Sequence, residues 1–232
     1  ICDMDLGRAF TYIFDDKSWL QKVVMLVALN FAAVLAMPLL FAGLVPMAIL
    51  MGYMAQIASN VREDKPIILP KWADYGDLLN KGIPILTAVI VYNLPIILLS
   101  LCFLTVPGLF PGDLAAGAAT LILVCCVLPL MLGYTGLAWL MLGVGFTNYT
   151  LTGKWQAFFR FGVIFDGVRE IGTVGLQWLL ANIAVNIVLG LVFAVPCLGW
   201  IAGSALAIPI YAHLLGQLAR AIDRRRRKKA GR

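Results

Sequence analysis

The chain has 232 residues, of which 62% are hydrophobic and 13% charged, and its 18 Lys and Arg against 12 Asp and Glu give a formal net charge of +6. An average soluble domain carries about 25% charged residues, so this chain has too few charges to cover a water-facing surface. A soluble globular domain is excluded. The basic excess needs no nucleic acid to explain it, because Lys and Arg held on one side during membrane insertion give the same bias.

The charges are clustered. None lies between Lys22 and Arg62, only Asp113 lies between Lys81 and Lys154, and none lies between Glu170 and Arg220. Apolar runs of about 18 or more residues read as membrane spans. Six are predicted, at about 20–41, 43–60, 83–106, 114–135, 172–195 and 198–219.

Before the first span stands "GRAFTYIFDDKSWLQK", in which Phe10, Ile13 and Phe14 share one helical face with Leu6 just ahead of it. A helix of this kind lies in the interface plane with its apolar side down. The N-terminus is acidic and amphipathic, so no cleavable signal peptide is expected. Ser18 and Gln21 have capping-box spacing, which predicts a new helix from Trp19. Before the third span, "LPKWADYGDLLNKG" repeats the pattern with Trp72, Tyr75, Leu78 and Leu79. The fourth apolar run continues to about Phe146, too long for one span and too short for two with a turn. A single helix is expected to bend near Pro129 and Gly133 and to continue toward or along the inner interface. Tyr134, Trp139 and Tyr149 would then sit at headgroup level. The third aromatic segment, "TGKWQAFFRFGVIFDGVREIG", places Trp155, Phe158, Phe159 and Val163 together.

The expected fold class is all-α: a polytopic integral membrane protein with six transmembrane helices as three hairpins, each preceded by an amphipathic interfacial helix. One domain is expected over 1–222, with hairpin units at about 5–60, 70–148 and 152–219, followed by a basic cytoplasmic tail at 223–232. Each outer turn carries a Val-Pro step: Val45-Pro46, Val106-Pro107 and Val195-Pro196. If the unit is a true repeat, the fold has approximate threefold symmetry about the membrane normal. The alternative is that any hairpin needs a turn and an aromatic anchor.

Sidedness follows from the charges. With both termini cytoplasmic, the inner segments 1–19, 61–82, 147–171 and 220–232, together with Lys22, hold all 18 basic residues. The outer turns hold none. Splitting residues 114–147 into two spans would move Lys154, Arg160, Arg169 and the Arg224–Lys229 run outside, against the positive-inside bias.

Three stretches carry a resemblance. "MDLGRAFTYIFDDKSW", "LPKWADYGDL" with the apolar run that follows it, and "YAHLLGQLAR" resemble the start, middle and end of a prokaryotic membrane family, domain of unknown function 4013. The resemblance covers nearly the whole chain. It implies a six-span, multi-pass protein of a bacterial or archaeal inner (plasma) membrane. The family has no established activity to transfer.

Reactive constellations are sparse. The sequence has no H-E-x-x-H, no Walker loop, no G-x-S-x-G and no G-x-G-x-x-G, and one histidine cannot support a His-rich metal site. No catalytic residue and no metal ligand is therefore assigned. Of five cysteines, Cys125 and Cys126 sit in an apolar run as small hydrophobes, and Cys102 and Cys197 fall near outer helix ends, where a disulfide is one reading. Asp15, Asp16, Asp74, Asp77 and Asp166 read as helix caps and surface pairs.

Three polar groupings remain. Gln177, Asn182 and Asn186 form a stripe on one span, either helix-contact hydrogen bonds or a substrate-facing row. His213 and Gln217 sit four apart near the inner end of the last span. They read as a hydrogen-bonded pair tying that helix to an interfacial helix, or as cofactor-binding residues toward a haem, a chlorin magnesium or a quinone carbonyl. Which cofactor, if any, is left open. Arg224, Arg225, Arg226, Arg227, Lys228 and Lys229 read as a membrane-surface anchor for anionic headgroups. The expected partners are membrane lipids, including anionic headgroups, and other membrane proteins, with no nucleic acid. The expected function is a non-enzymatic structural, assembly or accessory subunit of a membrane complex, or a lipid-organising module. The alternative is a transporter or channel for a neutral or apolar solute.

Overall fold

The computed structural model describes residues 4–39, 42–105, 113–195 and 198–231. Among the described residues every regular element is helical. In chain order these are α1 (Leu6–Thr11), a 3-10 turn (Tyr12–Asp15), α2 (Trp19–Ala36), α3 (Leu44–Arg62), α4 (Tyr75–Thr105), α5 (Asp113–Ile122), a π-helical turn (Leu123–Val127), α6 (Leu128–Thr152), a second 3-10 turn (Trp155–Phe158), α7 (Phe161–Phe193) and α8 (Leu198–Ala230). Six stretches of the described residues are long and apolar enough to cross a membrane: Trp19–Ala36, Leu44–Arg62, Tyr75–Leu101, Gly117–Thr152, Phe161–Phe193 and Gly199–Lys228.

The long fourth run is one helix with a π turn at its centre. Pro129 has no N–H to give, and its ring crowds the carbonyl of the preceding turn. The chain accommodates it by widening, so that the Leu128 N–H reaches back to Leu123 O. Beyond this point α6 packs into the bundle. Met141 and Gly143 through Tyr149 are all buried. Tyr134 and Tyr149 donate their phenolic O–H groups to Tyr92 O (2.9 Å) and Lys81 O (3.1 Å) of α4, and Trp139 leans on Trp178 and Tyr211. The three aromatics expected at headgroup level are thus turned toward neighbouring helices, because each finds a carbonyl or a ring there.

The three aromatic segments differ from one another. The first is a separate short helix, α1, followed by a 3-10 turn. The second is continuous with its span, since α4 begins at Tyr75 and runs without a break to Thr105. The third starts as a 3-10 turn and enters α7, whose helical course is broken at Gly172 (φ 44°, ψ −116°). The Val45-Pro46 step lies in the first turn of α3, where proline costs no hydrogen bond; Pro107 and Pro196 lie outside the described residues. Trp19 opens α2 as the spacing predicts, but Ser18 makes no capping bond to the helix. Asp16 organises the entry instead: its Oδ1 accepts from Ser18 N (2.8 Å) and Ser18 Oγ (2.7 Å).

α3 is the central helix, packed on α2, α4 and α8. It meets α4 at backbone distance: a Cβ at Gly52 would overlap Leu78 O, and one at Gly82 would overlap Ala48 O. Around this crossing Leu50, Tyr53, Ile57, Val61, Leu69 and Leu78 are fully enclosed. The opposite end is sparsely packed. Leu121, Leu130, Leu132, Leu180, Ile187 and Leu191 are all more than half exposed, as a lipid-facing surface requires.

Candidate functional site

The four charged segments meet at one end of the bundle, and side chains of each reach the others. Arg220 donates to Val61 O and pairs with Asp64 (2.8 Å). Arg62 donates to Thr150 Oγ1 (3.2 Å). Arg225 reaches across to α7 and Gln217 to α1. This end is the candidate site, and it contains three clamps and several cavities.

The first clamp is built on Gln217. Its Oε1 accepts from Asp5 N (2.9 Å), which fixes the orientation of the amide. Its Nε2 then faces Asp5 O and His213 Nδ1, each at 2.9 Å. An amide N–H needs an acceptor, so the proton of His213 sits on Nε2. Asp5 is itself the N-cap of α1, its Oδ1 accepting from Arg8 N (2.8 Å). Tyr12 stacks on the imidazole with ring centroids 4.7 Å apart and donates to Pro209 O at 2.9 Å. The pair His213 and Gln217 therefore fastens α1 and its 3-10 turn to α8. Burial, with the charge of Tyr53 second, pushes the Tyr12 phenol well above its ordinary range.

The second clamp is Lys22, which is 6% exposed. It stands one turn inside an apolar helix, and a buried ammonium must be paired. Its Nζ donates to the Asp16 carboxylate and to Leu69 O (2.7 Å). Burial raises the Asp16 carboxyl, but hydrogen bonds from Lys22 and Ser18 together outweigh it and hold the group below its ordinary range. The loop carrying Leu69 is held by further bonds: Tyr53 Oη to Pro70 O (3.0 Å), Trp72 Nε1 to Lys22 O (3.1 Å) and Asn60 Nδ2 to Ile68 O (2.9 Å). Trp72 lies flat on Tyr53 at 4.0 Å. Sequence reading missed this clamp. The available signal was a lone lysine three residues into an apolar run.

The third clamp is Arg225. The break at Gly172 frees helix carbonyls, and Arg225 Nη1 donates to Glu170 O (2.8 Å) and Ile171 O (2.9 Å). α8 continues through the basic run to Ala230. Arg225 is engaged inside the fold, Arg227 pairs with Asp223 at 2.9 Å, and Arg224 and Lys228 are exposed.

Gln177, Asn182 and Asn186 do not share one environment. Asn182 is buried, while Gln177 and Asn186 are exposed. The two asparagines bond back along their own helix, Asn182 Nδ2 to Trp178 O (2.7 Å) and Asn186 Nδ2 to Asn182 O (2.9 Å), rather than to a neighbouring helix. A five-residue step turns Gln177 well away from Asn182 on a 3.6-residue helix. Asn182 lines an apolar cavity of about 210 Å³ among α3, α4, α6, α7 and α8, with Asn93, Trp139, Trp178 and Tyr211.

A chain with six membrane-crossing helices gathered at one charged, clamped end is a multi-pass membrane protein. A family model described as "Protein of unknown function (DUF4013)" matches residues 35–201, and the chain belongs to that family. The match runs from the end of α2 to the start of α8, so α1 and the His213 stretch lie outside it. No curated protein and no solved structure matches the chain.

Proposed function

We propose that this protein is a non-enzymatic membrane scaffold, a structural, assembly or accessory subunit of a membrane complex or a module that organises lipid around itself. The observation that supports this is where its polar chemistry is used. Lys22, Gln217, Arg220 and Arg225 are each engaged with backbone carbonyls of distant elements, and three of them fasten one helix to another. A solute path through this end would need polar groups free to bind what passes. In this reading the charged end faces the cytoplasm of a prokaryotic cell and both termini lie there, because membrane insertion retains Lys and Arg on that side. The protein then sits in the plasma membrane, with lipids and other membrane proteins as its partners. The test is purification from native membranes with mass spectrometry of proteins and lipids. A stable stoichiometric partner or retained lipid is expected, and recovery of the bare chain alone would overturn the reading.

The cavity of about 210 Å³ favours a second reading, a carrier for a neutral or apolar solute, because Asn93 and Asn182 place two amides in otherwise apolar walls. Flux of a small neutral solute into liposomes that carry the protein, lost on Asn182→Leu, would support it. Flux no faster than through empty liposomes would remove it.

A further inference from the structure

We propose that a basic cleft at the start of α7 is a binding site for one phosphate group, in the class of a phospholipid headgroup or a soluble phosphate. The cleft is built by a tight local fold. α6 ends at Gly153 in the left-handed region (φ 65°), the Lys154 backbone is extended, and a 3-10 turn leads to Arg160 at the N-cap of α7. Phe158 anchors this turn from below: it is 1% exposed, and its carbonyl accepts from Tyr92 Oη at 2.9 Å. Side chains on either side of the anchor are left to surround an open volume of about 630 Å³.

Lys154, Arg160 and Arg226 line that volume, and no Asp or Glu does. None of the three is in an ion pair among the described residues, whereas Arg8, Lys22, Arg62, Lys65, Lys81, Arg220 and Arg227 all are. α7 has no side-chain cap and no acid in its first turn. Its first intrahelical bond is Ile164 N to Arg160 O (3.0 Å), so the N–H groups of residues 161–163 have no helical acceptor, and Val163 faces the cleft. A long helix with free N–H groups carries partial positive charge at this end and favours an anion. A separate observation points the same way. Asn148 also lines the cleft, is 8% exposed, and its buried Nδ2 has no hydrogen-bond partner. A buried amide N–H without an acceptor is costly unless a ligand supplies one.

Two guanidinium groups, an ammonium, free helix N–H groups and an orphan amide fit phosphate oxygens rather than a carbonyl or an apolar tail. Trp155 and Phe161, 56% and 48% exposed, flank the same turn and offer an apolar surface beside the phosphate. The lipid source rests on the lipid-organising form of the function proposed above; the phosphate chemistry does not.

The test uses the full-length protein in nanodiscs of phosphatidylcholine alone or with phosphatidylglycerol, and in detergent with inorganic phosphate, read by native mass spectrometry and titration. Arg160→Gln with Arg226→Gln should weaken binding about fivefold for each basic side chain removed, while Lys17→Gln with Lys71→Gln, which removes equal charge at exposed positions outside the cleft, should change it less than about twofold. Gln156→Glu, an exposed change that puts a carboxylate into the cleft, should weaken it further without unfolding the chain. Cleft-dependent retention of phosphatidylglycerol assigns the lipid source. Cleft-dependent binding of inorganic phosphate alone keeps the site and removes the lipid source. Equal losses in the cleft and control pairs, or binding unchanged in both, overturn the site, and retained native lipid in that case leaves the lipid-organising reading standing.

Discussion

Lys22 shows how much one buried charge decides. Removing its partner leaves an ammonium enclosed by Leu69, Trp72 and the first turn of α2, and breaking a buried pair from one side costs about 3–5 kcal/mol. Asp16→Asn is therefore expected to lower the melting temperature of the detergent-solubilised protein at neutral pH. The pH dependence has a definite sign. The Asp16 carboxyl is held below its ordinary value in the fold, so its contribution is present above the ordinary carboxylate range and is lost as pH falls through the depressed value. Between pH 7 and pH 3 the native protein should lose more stability than Asp16→Asn; equal slopes would mean the ion pair contributes nothing. Gln217 acts by a different route. Gln217→Ala removes two bonds to the Asp5 backbone and one to His213, at about 0.5–1.5 kcal/mol each, and leaves the rest of α8 intact. α1 should then open on its own. A cysteine placed at Ala9, now fully buried, should become reactive toward a maleimide in the variant and stay protected in the parent; protection in both would show that α1 is held by its apolar face alone.

At the scale of elements, the helices that cross are legible in the sequence and their ends at the charged side are not. Hydropathy over about 20 residues is a strong signal, and all six stretches fall on it. A helix does not stop where its apolar run stops, however. α4 begins at Tyr75 because the Asp74 side chain accepts from Asp77 N (3.2 Å). α8 continues through the Arg run because basic side chains suit a helix C-terminus. His213 and Gln217 could be paired from their i,i+4 spacing, but nothing local names Asp5 as their partner, 212 residues away from Gln217. Lys22 is hidden in the same way, since its second acceptor is a carbonyl 47 residues on. The close crossing of α3 and α4 is invisible for a related reason: Gly52 and Gly82 belong to no motif. Gly52→Ala or Gly82→Ala forces a methyl into the facing backbone, where no side chain can move aside. Either should reduce the folded, monodisperse fraction in size-exclusion chromatography. Gly133→Ala, with open space around it, should leave the profile unchanged, and equal damage at all three sites would contradict the crossing.

For the whole molecule, the six long helices are packed unevenly. α3 lies at the centre, α2, α4 and α8 pack around it, and the outer part of the α5–α6 helix is largely uncovered by the other helices. The three aromatic segments accordingly have different local structures, because each meets a different neighbour. What they share is position. Segments that flank each pair of crossing helices come together in hydrogen-bond contact, as Lys22 with Leu69, Tyr149 with Lys81 and Arg225 with Glu170 show. Such contacts require the connecting helices to return to the same end, which an even number of crossings provides and a split of Gly117–Thr152 into two would not. If that end is cytoplasmic, as the distribution of Lys and Arg supports, single cysteines in place of Lys154 and Lys228 in a cysteine-free background should resist a membrane-impermeant maleimide in intact cells and react after lysis. A cysteine at Asp113, across the bundle, should react in intact cells. Labelling of Lys154 but not Lys228 from outside would mean an odd number of crossings between them, incompatible with the contact of Arg225 with Glu170 and Ile171 of α7. Labelling of both from outside with Asp113 protected would leave the fold intact and invert it in the membrane.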